Sequence, residues 1–251
     1  MEQDLLLKSY LKRLRLPAVA QVYHKMAQEA ARTNATYEQY LVSLLEQEVL
    51  QRETNQQKRR LLQARFPVLR TLDSFDFSAI PTLNKAKVLE LTRGEYIEKR
   101  HNVILVGDVG TGKTHVAISL GVCACRQGKR VRFYTAAGLI NEMIEAQAEN
   151  RLSKLLTSLM KQDLVILDEV GFIPFSKTGA ELLFQFCSAK HERGSLIITT
   201  NLNFADWTQV FGDERLTAAL LDRLTHYCHI LEFRGESFRF KQSLKQRLEQ
   251  P

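Results

Sequence analysis

The sequence predicts an α/β chain: a parallel sheet of five strands covered by helices, preceded by a smaller segment that is helical throughout. Three observations carry this. From residue 102 onward, short runs rich in Val, Ile and Leu (NVILVG, VRFYT, DLVILD, LIITTN and HILEF) alternate with helical patterns. Apolar strands separated by helices indicate a parallel sheet buried on both faces. Residues 4–66 instead keep a helical period almost without interruption. Between the first strand of the sheet region and the helix after it stands GDVGTGKT, a glycine-rich turn.

The front segment opens with LLLKSYLKRLRL, which places Leu7, Leu11 and Leu14 one or two turns apart before Pro17 interrupts. A second helix starting at that proline carries Val19, Val22, Tyr23 and Met26 toward a core. A third opens on a capping box, Thr36-Tyr-Glu-Gln39, with an apolar stripe of Tyr40, Leu41, Leu44, Leu45 and Val49. The helix runs on through QKRRLLQARF, with Asn55 the one place where it could break, and Pro67 ends the run. We divide the chain into a basic helical N-terminal domain at 1–66, a connector with one short helix at 67–101, and the sheet domain at 102–251. Only 18 residues follow the last strand, near Phe233, so no C-terminal helical domain is expected.

Composition excludes several classes. The longest apolar runs are far too short to cross a bilayer, which needs about 20 residues. The N-terminus has acidic residues where a secretion signal is basic, which predicts a cytoplasmic protein. Cys123, Cys125, Cys187 and Cys228 have no histidine at zinc spacing and read as free thiols. The net charge is +7, and residues 1–70 hold 12 Lys and Arg against 7 Asp and Glu. Most of the excess is therefore at the front, where an anionic partner such as nucleic acid and a plain solvated surface are equally compatible with it.

The turn at 107–114 fits G-x-x-x-x-G-K-[ST] in full, after a strand and before an amphipathic helix, as a phosphate-binding loop requires. Glycines let backbone N–H groups curl around phosphates, and the helix N-terminus adds partial positive charge. Lys113 is expected to reach the β- and γ-phosphates of ATP and the Thr114 hydroxyl to ligate Mg²⁺. Nucleotide contacts are expected along Gly107, Asp108, Val109, Gly110, Thr111, Gly112, Lys113, Thr114 and His115. The His115, His226, His229 and Trp207 side chains are read as structural. Asp168 ends the strand LVILD, where its carboxylate suits the magnesium shell, and Glu169 next to it suits the polarising of an attacking water. DEVG also matches a GTPase switch motif by letters, but TTNLN stands where a guanine reader would be needed.

Two further residues keep alternatives. Asn201 follows the fourth strand, where an amide orients a lytic water or merely caps a turn. Arg223, on a late helix, suits an arginine finger reaching a neighbour's site or a salt bridge with Asp222; Arg215 competes for the first role. For phosphate contact with DNA the candidates are Lys58, Arg59 and Arg60, and then Arg151, Lys154 and Lys161, which serve equally as solvated surface.

Together these residues resemble the AAA+ ATPases, in the group of the DnaA initiators and DnaC-type helicase loaders. GDVGTGKTHVAISLGVCACRQG, LVILDEVGFIPFSKTGAELLFQ, ERGSLIITTNLNFADW and LLDRLTHYCHILEFRGESFR are similar, more narrowly, to the IstB family of helper ATPases in insertion-sequence transposition. The resemblance spans nearly the whole chain. It implies a P-loop, initiator-like AAA+ fold and an ATPase that multimerises on double-stranded DNA with little sequence preference, captures or deforms the target, and stimulates a cognate transposase. It also implies that Lys113 and Thr114 serve phosphate and magnesium, that Asp168 and Glu169 are the Walker B pair, that Asn201 is the first sensor and Arg223 the trans-acting arginine, and that the segment around Phe75–Phe77 lies against adenine. The usual C-terminal helical lid is missing, and Arg239 is the one candidate for its second sensor. A DnaC-like helicase loader is the alternative function, and a scaffold that ATP merely glues together is a third.

Overall fold

The computed structural model of the chain describes residues 2–237. They fall into two compact units that meet in sequence at Arg59 and Arg60.

The first unit is built from α1 (Glu2–Arg13), α2 (Pro17–Thr33) and most of α3 (Tyr37–Ala64). Helix α1 has Glu2 and Asp4 in its first turn and Lys12 and Arg13 in its last, each charge complementing the helix dipole. Pro17 opens α2, where its missing N–H costs nothing. The capping box of α3 closes reciprocally: Thr36 N donates to Gln39 Oε1 at 2.9 Å and Gln39 N to Thr36 Oγ1 at 3.2 Å. The core is small, formed by Leu11, Val19, Tyr23 and Leu44. Leu7 and Leu14 are exposed, as are Leu41, Leu45 and Val49, because three helices enclose only a small core and each buries one narrow stripe. No break occurs at Asn55, whose side chain instead accepts from Gln51 one turn earlier at 3.1 Å. The buried carboxylate of Glu48 accepts the N–H groups of Ala18 and Val19 at 2.9 and 3.4 Å, so α3 caps the start of α2.

The second unit holds a five-stranded sheet, β1 (Asn102–Gly107), β2 (Val131–Thr135), β3 (Leu164–Val170), β4 (Ser195–Thr200) and β5 (Cys228–Phe233), in the order β2-β3-β4-β1-β5. Every pairing is parallel. Before it come two 3₁₀ turns, Leu72–Ser74 and Phe77–Ala79, and two helices, α4 (Lys85–Leu91) and α5 (Glu95–Glu98), where one helix was expected. The rest are α6 (Lys113–Arg126), α7 (Ala136–Ala148), α8 (Leu152–Met160), α9 (Lys177–Lys190), α10 (Thr208–Phe211) and α11 (Glu214–Thr225).

The strands feed two cores by strict alternation. Val103, Leu105, Leu164, Ile166 and Ile197 join one cluster with residues of α4, α5 and α6. Ile104, Val165, Leu167, Leu196 and Ile198 join the other with residues of α7 to α11. Successive side chains of a strand point to opposite faces, so covering both faces makes the inner strands β1, β3 and β4 nearly continuous buried runs, while the edge strands β2 and β5 carry Arg132 and Glu232. Chain connection reverses at β1, which lies between β4 and β5 while the chain leaves it for β2. Crevices at such switch points, beyond the carboxyl ends of the strands, are where open α/β sheets bind ligands. Among the described residues, no helix is long and apolar enough to cross a membrane, and none follows β5.

Candidate nucleotide-binding site

The loop between β1 and α6 is shaped by backbone sterics. Gly107 ends β1 with φ +145°, and a Cβ there would lie 2.0 Å from Phe233 O. Gly112 has φ +92° and stands at the N-cap of α6 without a side-chain cap, leaving first-turn N–H groups for a ligand. Asp108 N donates to Phe233 O at 2.9 Å, and Thr111 Oγ1 to Asp108 O at 2.7 Å, so β5 and the loop brace each other. Val109 is exposed. Lys113 Nζ donates to Gly107 O and Asp108 O, both at 2.7 Å. Burial lowers the Lys113 pKa, against the opposing pull of Asp108 and Asp168.

Sheet order brings the acidic residues to this loop. Asp168, near the end of β3, is 4% exposed and accepts from Thr114 Oγ1 at 2.9 Å. From β4, Thr199 Oγ1 donates to the same Asp168 Oδ1 at 2.6 Å. Glu169 and Asn201 line the cleft together with Lys113 and Thr114; its volume is ≈ 610 Å³. The opposite wall is residues 67–80, including Arg70, Phe75 and Asp76. His115 ties that wall down: its Nε2 lies 2.9 Å from Thr71 O, which as a carbonyl only accepts, so Nε2 carries the proton. The His115 ring also meets Phe75 edge-on at 5.3 Å.

The donor set fits ATP with magnesium. Gly107, Gly110 and Gly112 give the loop the positive-φ turns that a phosphate-binding loop needs, and Thr114 with Asp168 offers the hard oxygens that Mg²⁺ prefers. Among the described residues, no cluster of three or more His, Cys, Asp or Glu could hold a metal by itself.

The other sequence candidates lie elsewhere. Arg223 does not line the cleft; its Nη1 donates to Ala219 O at 3.2 Å and its guanidinium lies 4.8 Å from the Phe184 ring centre. It makes no ion pair with Asp222 among the described residues. Arg215 is exposed on α11, and Arg239 lies outside the described residues. Lys58 and Arg59 are exposed and Arg60 half-buried on α3; Arg151, which pairs with Glu149, and Lys154 and Lys161 are exposed at α8. Sequence reading missed Thr199, whose one signal was a hydroxyl inside a fully buried strand end.

Residues 9–246 match the family described as IstB-like ATP binding protein. This chain belongs to that family. A relative from Pseudomonas aeruginosa, named as an ATP-binding protein of insertion sequence IS21, is 38% identical over 95% of this chain and 90% of its own length. One from Geobacillus stearothermophilus, named for insertion sequence IS5376, is 34% identical over 93% of each chain. Solved structures share the fold of this family member. The DnaC helicase loader is similar at a TM-score of 0.55 and 21% identity, over 65% of this chain and 96% of its own. A DnaA replication initiator, solved bound to AMPPCP and single-stranded DNA, is similar at 0.54 and 22%, over 70% of this chain and 54% of its own. The architecture is therefore that of a P-loop AAA+ protein with helices in front of it.

Proposed function

We propose that this IstB-like chain is an ATP-hydrolysing helper of DNA transposition, which multimerises on duplex DNA, deforms or selects the target and stimulates the transposase of its insertion element. The observation that carries the reading is the convergence of Lys113, Thr114, Glu169 and Asn201 on one cleft, with Asp168 hydrogen-bonded to Thr114. The names of the relatives support its assignment to transposition.

In this reading residues 102–251 are the ATPase domain, 67–101 the connector that meets adenine, and 1–66 the segment for DNA and subunit contacts. Loop N–H groups and Lys113 bind and orient the phosphates. Glu169 takes a proton from the attacking water, which Asn201 orients toward the γ-phosphorus. Thr114 and Asp168 would hold Mg²⁺, which when bound would supply positive charge at the phosphate oxygens. Arg223 does not line its own cleft and serves a neighbouring copy. Lys58, Arg59, Arg60, Arg151, Lys154 and Lys161 meet DNA phosphates, which gives affinity without base reading. The protein works in the cytoplasm.

ATPase rate, measured against duplex and single-stranded DNA at low and moderate salt, tests this. Stimulation by duplex that fades with salt is the expected result. Stimulation by single strands alone points to a helicase loader. Glu169→Gln separates an engine from a scaffold: it traps a cycling ATPase on DNA in its ATP-bound form and leaves a scaffold indifferent.

A further inference from the structure

A buried hydroxyl on β4 meets both acidic residues of the cleft. The β3–β4 ladder pairs Leu167 with Ile198 and Val170 with Thr200. Asp168 and Glu169 therefore share the single position opposite Thr199, which is a bulge in β3. At the bulge Glu169 takes a left-handed backbone, φ 60°. That conformation is unfavourable for a residue with a Cβ and persists only where its surroundings hold it.

The bulge has two consequences. Neighbouring side chains of a regular strand face opposite sides, yet here Asp168 reaches Thr114 while Glu169 lines the same cleft. The bulge also takes the Glu169 N–H out of regular pairing, and Thr199 Oγ1 accepts it at 2.9 Å. The same hydroxyl donates to Asp168 Oδ1 at 2.6 Å. Thr199 is 1% exposed at the wall of the cleft, so both bonds are made by a side chain almost wholly out of solvent.

We propose that Thr199 is a positioning residue for hydrolysis: its hydroxyl holds the bulge that aims Glu169 and restrains Asp168. This rests on the reading of Glu169 as the group that activates water. Without the hydroxyl, the Glu169 N–H loses this acceptor and Asp168 Oδ1 loses one of its donors, Thr114 Oγ1 remaining, and the aim of Glu169 is lost. The glycine loop and Lys113 are untouched, so ATP still binds.

Steady-state ATP hydrolysis by the full chain, with Thr199→Val and Thr199→Ser, tests the role. The valine variant keeps the branched shape, lowers kcat about 100-fold and leaves KM within about threefold of wild type, the mark of an interaction that matters in the transition state. The serine variant keeps the hydroxyl and most of the rate. If the valine variant does not fold, Thr199→Ala carries the same comparison. A valine variant with wild-type kcat overturns the proposal, and so does an equal loss in valine and serine variants. Failure of the underlying reading looks different: wild type then hydrolyses no ATP, or Glu169→Gln hydrolyses it as fast as wild type, and the positioning role falls with it.

Discussion

The ring of Phe75 fills the space that a side chain at Gly112 would need: a Cβ built on Gly112 lies 2.7 Å from Phe75 Cε2. The phosphate loop and the opposite wall of the cleft are thus packed against each other, and His115 bonds the same wall at Thr71. Changes on one side should be felt on the other.

Gly112→Ala is expected to weaken ATP binding at least tenfold, through the clash with Phe75 and through a φ of +92° that alanine tolerates poorly. Adding Phe75→Ala relieves the clash but not the backbone strain, so the double variant should bind better than the sum of the single losses predicts. Titration calorimetry of the four proteins checks this. Strictly additive losses would show that the two residues do not compete for space.

Lys190 makes stability depend on pH in a predictable direction. It is fully buried at the end of α9, and its Nζ donates to the carbonyls of Leu159, at 3.3 Å, and Gln162. Burial pushes its pKa down to about 8, against the pull of Asp163, whereas an unfolded lysine titrates near 10.4. Between those values the unfolded chain binds more protons, so stability from this group rises with pH, by on the order of 3 kcal/mol at most. Buried thiols act oppositely: Cys187 and Cys228 are pushed up to about 12, so their contribution falls as unfolded thiols ionise above about 8.5. Urea denaturation of wild type and Lys190→Met across pH 7–10 isolates the lysine. The difference between the two should rise with pH, and a flat difference would refute the assignment.

Glu48 holds the first unit together through α2. Burial works against its charge, but Arg52, with Nε 2.8 Å away, and the Ala18 and Val19 N–H groups outweigh it and leave the pKa lowered. A carboxylate with a lowered folded pKa stabilises above its unfolded value and loses that contribution as pH falls through the folded one, here below about 4.3. Glu48→Ala should cost about 1–2 kcal/mol as a lost cap. Hydrogen exchange at the start of α2 is the readout, and unchanged protection of Ala18 and Val19 would contradict the cap.

Arg223 is predicted to act on a neighbour's nucleotide. Lys113→Ala and Arg223→Ala should each be inactive, since one lacks the phosphate lysine and the other the arginine. Mixed in equal amounts, they should recover activity, because about one quarter of head-to-tail interfaces then combine an intact Lys113 with an intact Arg223. No recovery would place the arginine's action within its own chain. An Arg215→Ala variant that is inactive alone and recovers with Lys113→Ala, where Arg223→Ala does not, would transfer the role to Arg215.

What the sequence determined by itself was local. The spacing from Gly107 to Thr114, the apolar words of β1 and β3, the capping box at Thr36 and the acidic pair at the end of β3 are each legible within about ten residues, because turn sterics, strand burial and helix capping act over that range. Tertiary structure decided the rest. Which leucines of α1 and α3 are buried depended on how little core three helices enclose. Thr199 meets Glu169 from 30 positions away, and His115 meets Thr71 from 44 away. Neither pairing has a periodicity to read, since each exists only because the order β2-β3-β4-β1-β5 sets those strand ends and the 67–80 segment around one cleft. A hydroxyl in an all-buried strand looks like any other core threonine until the bulge opposite supplies the N–H that needs it.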